Sequence, residues 1–184
     1  MILLVLVVAL LQVRGLDGAV LRLFEPAGTA NVLLFVSTDC PVSNGYAPEI
    51  QRVCAAYGAR GTECVLVYED PGLTAAAARE HVARYGYASM SAVSAIIDVD
   101  GAIAARAGAA ITPEVAVVDH AGAVRYRGRI DNKYVALGRA RRTVTAHDLT
   151  DALDAILASR PVAVADTQAI GCVIVPSEMR RKRP

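Results

Sequence analysis

Stretches rich in apolar residues alternate with stretches of helical character along this chain. The runs at 32–36, 62–68 and 92–99 have the length and the β-branched content of buried strands. A helical pattern begins at Pro41 and continues with apolar residues at helical spacing over 50–57, and residues 74–85 are alanine-rich and end before Gly86. Strands that alternate with helices in this way predict an α/β domain.

Two hairpins and a final helix complete the predicted elements. Residues 13–23 predict two short strands about Asp17–Gly18, which is a hairpin turn signal. A second hairpin is predicted from strands at 115–118 and 124–126. The last helix has an apolar face made of Leu149, Leu153, Ile156 and Leu157.

The bulk composition narrows the class of protein. A chain of 184 residues with 54% hydrophobic and 20% charged residues can bury a full core as one domain, and it is not a disordered chain. The net charge is +1, so the overall charge favours neither nucleic acid nor a membrane surface as a partner.

The candidate chemistry centres on Cys40. The apolar run at 32–36 stops at Ser37-Thr38-Asp39, after which Cys40 and Pro41 open the helical pattern. A cysteine at the start of a helix faces unpaired N–H groups, which favour the thiolate and lower the thiol pKa from its free value of about 8.5. Asp39 acts in the opposite direction because its negative charge disfavours a neighbouring thiolate. Cys40 is therefore predicted to be a reactive thiol.

The other cysteines and the histidines show no metal-ligand spacing, so no metal and no cofactor is expected. A copper-chaperone role is not favoured, because it would require paired cysteines and a suitably placed histidine. Cys54 and Cys64 are interpreted first as core residues, with a structural disulfide between them as the alternative. His81 is expected on a partly exposed helix surface.

Cys40, Ser43 and Pro48 fit the spacing C-x-x-[C/S]-x-x-x-x-P within the segment CPVSNGYAPE, and Thr112-Pro113 and a Gly-Cys-x-Ile tail follow later. These residues resemble the thioredoxin-like redoxins, a group that includes the AhpC/TSA domains and the secreted thiol–disulfide oxidoreductases. The resemblance covers about residues 13–175 and implies a thioredoxin-like fold with a central mixed sheet flanked by helices. Ser43 stands where the secreted oxidoreductases carry the second cysteine of C-x-x-C.

The resemblance also implies roles for the site residues. Cys40 would be the nucleophile in thiol–disulfide exchange, and Ser43 would donate a hydrogen bond to its thiolate. Thr112–Pro113 would carry a cis peptide bond facing Cys40 and shape a groove for the substrate chain. Without a cysteine at position 43, Cys40 acts alone or with a resolving partner, for which Cys172 is the first candidate beside Cys54 and Cys64. The implied partners are protein thiols and disulfides, or a redox partner protein.

Two further functions stay open at this stage. A peroxiredoxin-like peroxidase would use Ser37 as its hydroxyl and Arg127 or Arg129 as its cation, although Leu33 occupies the position of the expected proline. A non-catalytic redoxin module would bind a redox partner through the groove.

The termini are predicted to lie outside the redoxin domain, which is placed at residues 13–176. The apolar run at 2–11, within segment 1–12, has the length of a signal-peptide core but is too short to span a bilayer. If the run is an export signal, the protein is expected to be secreted or periplasmic, and any membrane association would be through this segment only. If the run is instead a buried first strand, a cytoplasmic protein is expected. Residues 177–184 are expected to form a basic, solvated tail.

Overall fold

A five-stranded mixed sheet lies at the centre of the computed structural model, which describes residues 12–176 and residue 179. The strands in chain order are β1 (Gln12–Arg14), β2 (Val20–Arg22), β3 (Ala30–Val36), β4 (Thr62–Tyr68), β5 (Val93–Ile97), β6 (Ile111–Thr112), β7 (Glu114–Asp119), β8 (Val124–Gly128), β9 (Tyr134–Ala136), β10 (Arg139–Ala140) and β11 (Cys172–Val173). The helices are α1 (Pro41–Gly45), α2 (Ala47–Gly58), α3 (Ala75–Arg84), α4 (Ala102–Ala107) and α5 (Asp148–Leu157), with a 3₁₀ turn at Tyr87–Ser89.

The central sheet has the strand order β5-β4-β3-β7-β8. β3 pairs in parallel with β4 and antiparallel with β7, and β4 pairs in parallel with β5. The carboxyl ends of β3, β4 and β5 therefore meet at one edge, and Cys40 follows β3 at that edge. The predicted α/β fold with a mixed sheet flanked by helices is confirmed.

Both faces of the central strands are buried, because helices cover each side of the sheet. Alternate residues such as Val32 and Leu34 face one core cluster, to which α2, α3 and α5 contribute. Leu33 and Phe35 face the other cluster, which includes residues of β2 and α4. This burial explains why β3 is apolar at nearly every position instead of alternating.

The helical pattern after Cys40 forms two helices instead of one. α1 ends at Gly45 and α2 begins at Ala47, with Tyr46 between them. Pro48 has no N–H to donate to the carbonyl of Asn44, and its ring would crowd that carbonyl, so the continuous ladder breaks here. α4 was not predicted, because a six-residue helix carries too little periodicity to be recognised.

The apolar run at 2–11 lies outside the described residues, as does the basic tail apart from residue 179. Within the described part of the chain, no helix has the length and apolar character needed to cross a membrane.

Candidate active site

Cys40 lies at the turn from β3 into α1. It caps the helix, its carbonyl accepts the N–H of Asn44 at 3.0 Å, and its side chain is 1% exposed. The thiol is thus held beneath the surface at the carboxyl edge of the parallel strands. Open α/β sheets commonly place their functional groups at this edge.

Cys172 reaches Cys40 from the far end of the chain. β11 pairs antiparallel with β6, with Cys172 opposite Thr112, and the two Sγ atoms lie 2.9 Å apart. Gly171 makes this approach feasible, because a Cβ at that position would collide with the carbonyl oxygen of Thr112. Both cysteines are free thiols, and Cys172 is half-buried.

The Thr112–Pro113 peptide bond is cis and lies beside the thiols, as the resemblance implied. The Cys40 thiol donates to the carbonyl oxygen of Thr112 at 3.1 Å. The buried carboxylate of Glu114 accepts the N–H groups of Ala110 and Ile111 at 2.7 and 3.1 Å. Glu114 therefore holds the backbone that leads into the cis bond, a role the sequence did not suggest.

The surroundings of the two thiols separate their pKa values. Burial by itself would raise the pKa of Cys40, but the Cys172 thiol and groups of Ser43 and Val42 stabilise the thiolate, and the net effect lowers that pKa. Burial and then the neighbouring Cys40 raise the pKa of Cys172 to about 11. Cys40 is thus the more readily ionised thiol, and Cys172 remains protonated as its hydrogen-bond donor.

Ser43 lies in the first turn of α1 and is buried. Its hydroxyl has no hydrogen-bond partner within normal distance among the described residues. Its backbone N–H and, more weakly, its hydroxyl nevertheless act to lower the pKa of Cys40. The backbone of Ser43 therefore contributes more to the thiolate than the side chain that the sequence singled out.

His81 is buried, so the prediction of a partly exposed surface histidine is wrong. The imidazole Nδ1 lies 2.8 Å from the hydroxyl of Tyr68, and Nε2 lies 2.9 Å from Oδ1 of Asn44. α3 presses this face against the end of β4 and against α1, and burial lowers the pKa of His81. The ring is therefore neutral near pH 7 and joins the active-site helix to the core.

A second polar contact fixes the loop in front of Cys40. Asp70, which follows the end of β4, accepts the N–H of Thr38 at 2.8 Å and the hydroxyl of Ser37. The Asn44 amide donates to the carbonyl of Thr38 at 3.0 Å. Asp70 and Asn44 were missed as site residues, although the sequence carried a signal for Asp70: it comes soon after a buried strand that a helix connects to β3, the usual arrangement of a parallel pair.

The candidate peroxide-binding groups are engaged elsewhere. The Ser37 hydroxyl bonds to Asp70. Arg127 bonds to Asp166 and to the carbonyl of Gly108, and Arg129 forms a two-point ion pair with Asp148 at 2.8 and 3.1 Å.

Cys54 and Cys64 form a disulfide bond between α2 and β4. Both residues are buried in the core, as expected, and the bond realises the alternative considered for them. This disulfide occupies both cysteines, which leaves Cys172 as the described cysteine able to pair with Cys40.

The fold and the site define the class. A mixed sheet, a cysteine at the strand-to-helix turn and a cis proline beside it make a thioredoxin-like redoxin. Among the described residues, no group of three or more histidine, cysteine or acidic side chains could hold a metal ion. The model of the AhpC/TSA family matches residues 8–127, more than half of the chain, and the chain belongs to that family.

Solved structures share this fold. A conserved protein from Geobacillus kaustophilus is 25% identical, with a TM-score of 0.77 over 89% of this chain and 86% of that one. A hypothetical protein from Sinorhizobium meliloti is 24% identical, with a TM-score of 0.73 over 89% and 88%. A secreted Mycobacterium tuberculosis disulfide oxidoreductase, described as homologous to DsbE of E. coli, is 21% identical, with a TM-score of 0.52 over 82% and 96%. A search of curated proteins found no match.

Proposed function

We propose that the protein is a thiol–disulfide oxidoreductase that uses Cys40 as its nucleophile and Cys172 as its resolving cysteine. The observation that carries the proposal is the 2.9 Å separation of the two free Sγ atoms. The substrates are disulfides of proteins or of a redox partner protein. Cys172 takes the chemical place of the cysteine that is absent at Ser43.

The first step is attack by the Cys40 thiolate on one sulfur of the substrate disulfide. A Cys40–substrate disulfide forms, the substrate S–S bond breaks, and the other substrate sulfur leaves as a thiolate that takes a proton from water. The lowered pKa of Cys40 raises the fraction of thiolate available for this attack. The backbone beside Pro113 borders the thiol, and its Thr112 side is paired with β11, which carries Cys172.

The second step resolves the mixed disulfide. Once Cys40 is bonded to the substrate it carries no negative charge, so one cause of the raised pKa of Cys172 disappears. Cys172 then loses its proton and attacks Sγ of Cys40, and the second substrate sulfur leaves as a thiol. Two electrons have passed to the substrate, a Cys40–Cys172 disulfide remains, and an external thiol reductant restores the dithiol.

The two alternative functions have less support. A peroxidase needs a hydroxyl and a cation at the thiol, whereas Ser37, Arg127 and Arg129 are bonded to carboxylates. A non-catalytic binding module gives no reason for two free thiols in contact.

Mass spectrometry of the oxidised protein and turnover of a model disulfide test the proposal. We expect a Cys40–Cys172 bridge, no turnover in Cys40→Ser, and accumulation of the Cys40–substrate mixed disulfide in Cys172→Ser. A free Cys172 beside an oxidised Cys40, or full turnover in Cys172→Ser, would contradict the resolving role. Rapid consumption of hydrogen peroxide with sulfenic acid at Cys40 would support the peroxidase instead.

We also propose that residues 13–176 are the working domain of an exported protein, with 1–12 as an export signal and 177–184 as a basic tail. The Cys54–Cys64 disulfide supports export, because structural disulfides persist in oxidising compartments. Cell fractionation with intact-mass analysis tests this. We expect a shortened chain outside the cytoplasm, and a full-length cytoplasmic chain with reduced Cys54 and Cys64 would contradict it.

A further inference from the structure

The hairpin formed by β9 and β10, residues 133–142, is anchored to the active-site helix at its base. The Lys133 ammonium donates to the carbonyl of Gly45 at 2.9 Å, and the Tyr134 ring packs edge-on against Tyr46 with centroids 5.1 Å apart. A Cβ at Gly45 would collide with the Tyr134 hydroxyl, so the hairpin and α1 are in direct contact. The hairpin therefore borders the helix that carries Cys40.

Tyr134 connects this hairpin to the core that surrounds the thiol. It packs against the core cluster that contains Cys40, and so does Cys172. Burial, Asp131 and the Cys40 thiolate, in that order, raise the pKa of Tyr134. The first strand of the hairpin thus packs on the same core cluster as the two cysteines.

Strand pairing places arginines close to Tyr134. Ala140 pairs with Tyr134, so Arg139 and Arg141 lie one residue to either side of the position opposite Tyr134. The N–H of Arg141 bonds to the carbonyl of Lys133 at 2.7 Å, which holds the second strand in place. Arg142 follows in a bend after β10, and Leu137 is exposed at the turn.

The charge of this hairpin is not balanced. Residues 133–142 read KYVALGRARR and contain four basic and no acidic residues, although the whole chain has 19 basic and 18 acidic ones. Arg139, Arg141 and Arg142 are exposed, and among the described residues none of them forms an ion pair. Asp70 lies on the β4 side of β3, whereas the chain enters the hairpin from β8, on the opposite side. The hairpin therefore presents unpaired positive charge beside the end of α1, the helix that Cys40 caps.

We propose that the basic hairpin at 133–142 is the docking surface for a protein disulfide whose cysteine is flanked by acidic residues. This inference rests on the exchange function proposed above and names its substrate class. The arginines attract the acidic segment of the substrate. Lys133 and Tyr134, at the base of the hairpin, lie between this segment and Cys40. A nucleic acid fits the charge but has no disulfide for the adjoining thiols, so a protein partner is favoured.

The probe is a nine-residue peptide with a central cysteine, carried as its mixed disulfide with 2-mercaptoethanol. Three versions have aspartate, serine or lysine at the flanking positions. With the aspartate peptide at about 0.01 M salt we expect wild-type exchange to be about tenfold or more faster than with the lysine peptide, and this preference should vanish near 1 M salt. Equal rates for the aspartate and lysine peptides at low salt would overturn the proposal.

The test variant reverses the charges of the hairpin, and its control reverses as many charges at the other end of the sheet. The variant is Arg139→Glu, Arg141→Glu and Arg142→Glu. The matched control changes Arg22, Arg125 and Arg160 to Glu; all three are exposed near the start of β3, away from Cys40. We expect the hairpin variant to lose the preference for the aspartate peptide and to reduce the serine peptide normally. Equal loss in both variants would show a net-charge effect and overturn the docking surface.

A binding measurement separates this proposal from the exchange function. Cys40→Ser cannot exchange, but it should still bind the aspartate peptide, and adding the hairpin reversals should weaken that binding about tenfold. If the wild type binds the aspartate peptide normally but does not exchange with it, the proposed exchange function would be overturned and the docking surface would be retained. Hairpin-dependent binding of phosphatidylglycerol vesicles without binding of the peptide would identify a membrane contact and overturn the proposal.

Discussion

Cys40 and Cys172 place their Sγ atoms 2.9 Å apart although 132 residues separate them in the chain. Cys172 lies on β11, which pairs with β6 beside the cis proline, and not on the helix that Cys40 caps. Ser43, one turn along that helix, is left to stabilise a thiolate. The two thiols therefore differ in pKa because they sit on different elements with different burial and partners.

Replacing Cys172 by alanine should raise the pKa of Cys40. After burial, which raises it, the Cys172 thiol is the largest influence on this pKa, and it acts to lower it. The thiolate is the form that reacts, so the pH profile of Cys40 alkylation by iodoacetamide should move to higher pH in Cys172→Ala. Val173→Ala, at a neighbouring exposed position, is the control and should leave the profile in place. An unchanged profile in Cys172→Ala would show that the two thiols are not coupled.

Gly171→Ala should separate the two cysteines without removing either one. The added Cβ would meet the Thr112 carbonyl and push β11 away from β6. Because small displacements of reacting groups cost large factors in rate, Cys40–Cys172 disulfide formation should slow by about tenfold or more. Quenched-flow trapping followed by mass spectrometry measures it, and a wild-type rate would mean that β11 accommodates the methyl group.

His81→Phe should destabilise the fold. The hydroxyl of Tyr68 and the amide of Asn44 would lose their buried partner, at a cost of about 1–3 kcal/mol in the free energy of unfolding. His120→Phe, an exposed turn position, should change stability by less than about 0.5 kcal/mol. Urea denaturation measures the free energy of unfolding of each variant. If His81→Phe changes it as little as His120→Phe does, the buried contacts contribute no net stability.

The Cys54–Cys64 disulfide should support the fold and not the chemistry. The double variant Cys54→Ala/Cys64→Ala should lose about 2–4 kcal/mol of stability, in the usual range for a disulfide. Exchange activity should persist at temperatures where the variant is folded, because neither sulfur contacts Cys40. Thermal denaturation and a model-disulfide assay measure the two effects, and loss of activity in a folded variant would assign this pair a redox role.

The sequence was informative where local patterns decide the structure. The apolar runs predicted β3, β4 and β5, and the strand-to-helix transition located Cys40, because burial on both faces of a parallel sheet leaves a continuous apolar signature. It was less informative where a contact joins distant elements. His81 has the spacing of a surface helix residue, and nothing local shows that α3 packs this face onto Tyr68 and Asn44.

The amino-acid sequence by itself determined the α/β fold class and placed Cys40 where a strand passes into a helix, since both depend on apolar periodicity and on residues close together in the chain. The candidates for a partner of Cys40 came from the family resemblance. Only the tertiary structure decided which cysteines meet. Cys54 and Cys64 are joined because α2 packs on β4, and Cys172 reaches Cys40 because β11 pairs with β6. Such pairings depend on how whole elements bury their surfaces against one another. The local pattern of apolar and polar residues does not show which distant elements come into contact.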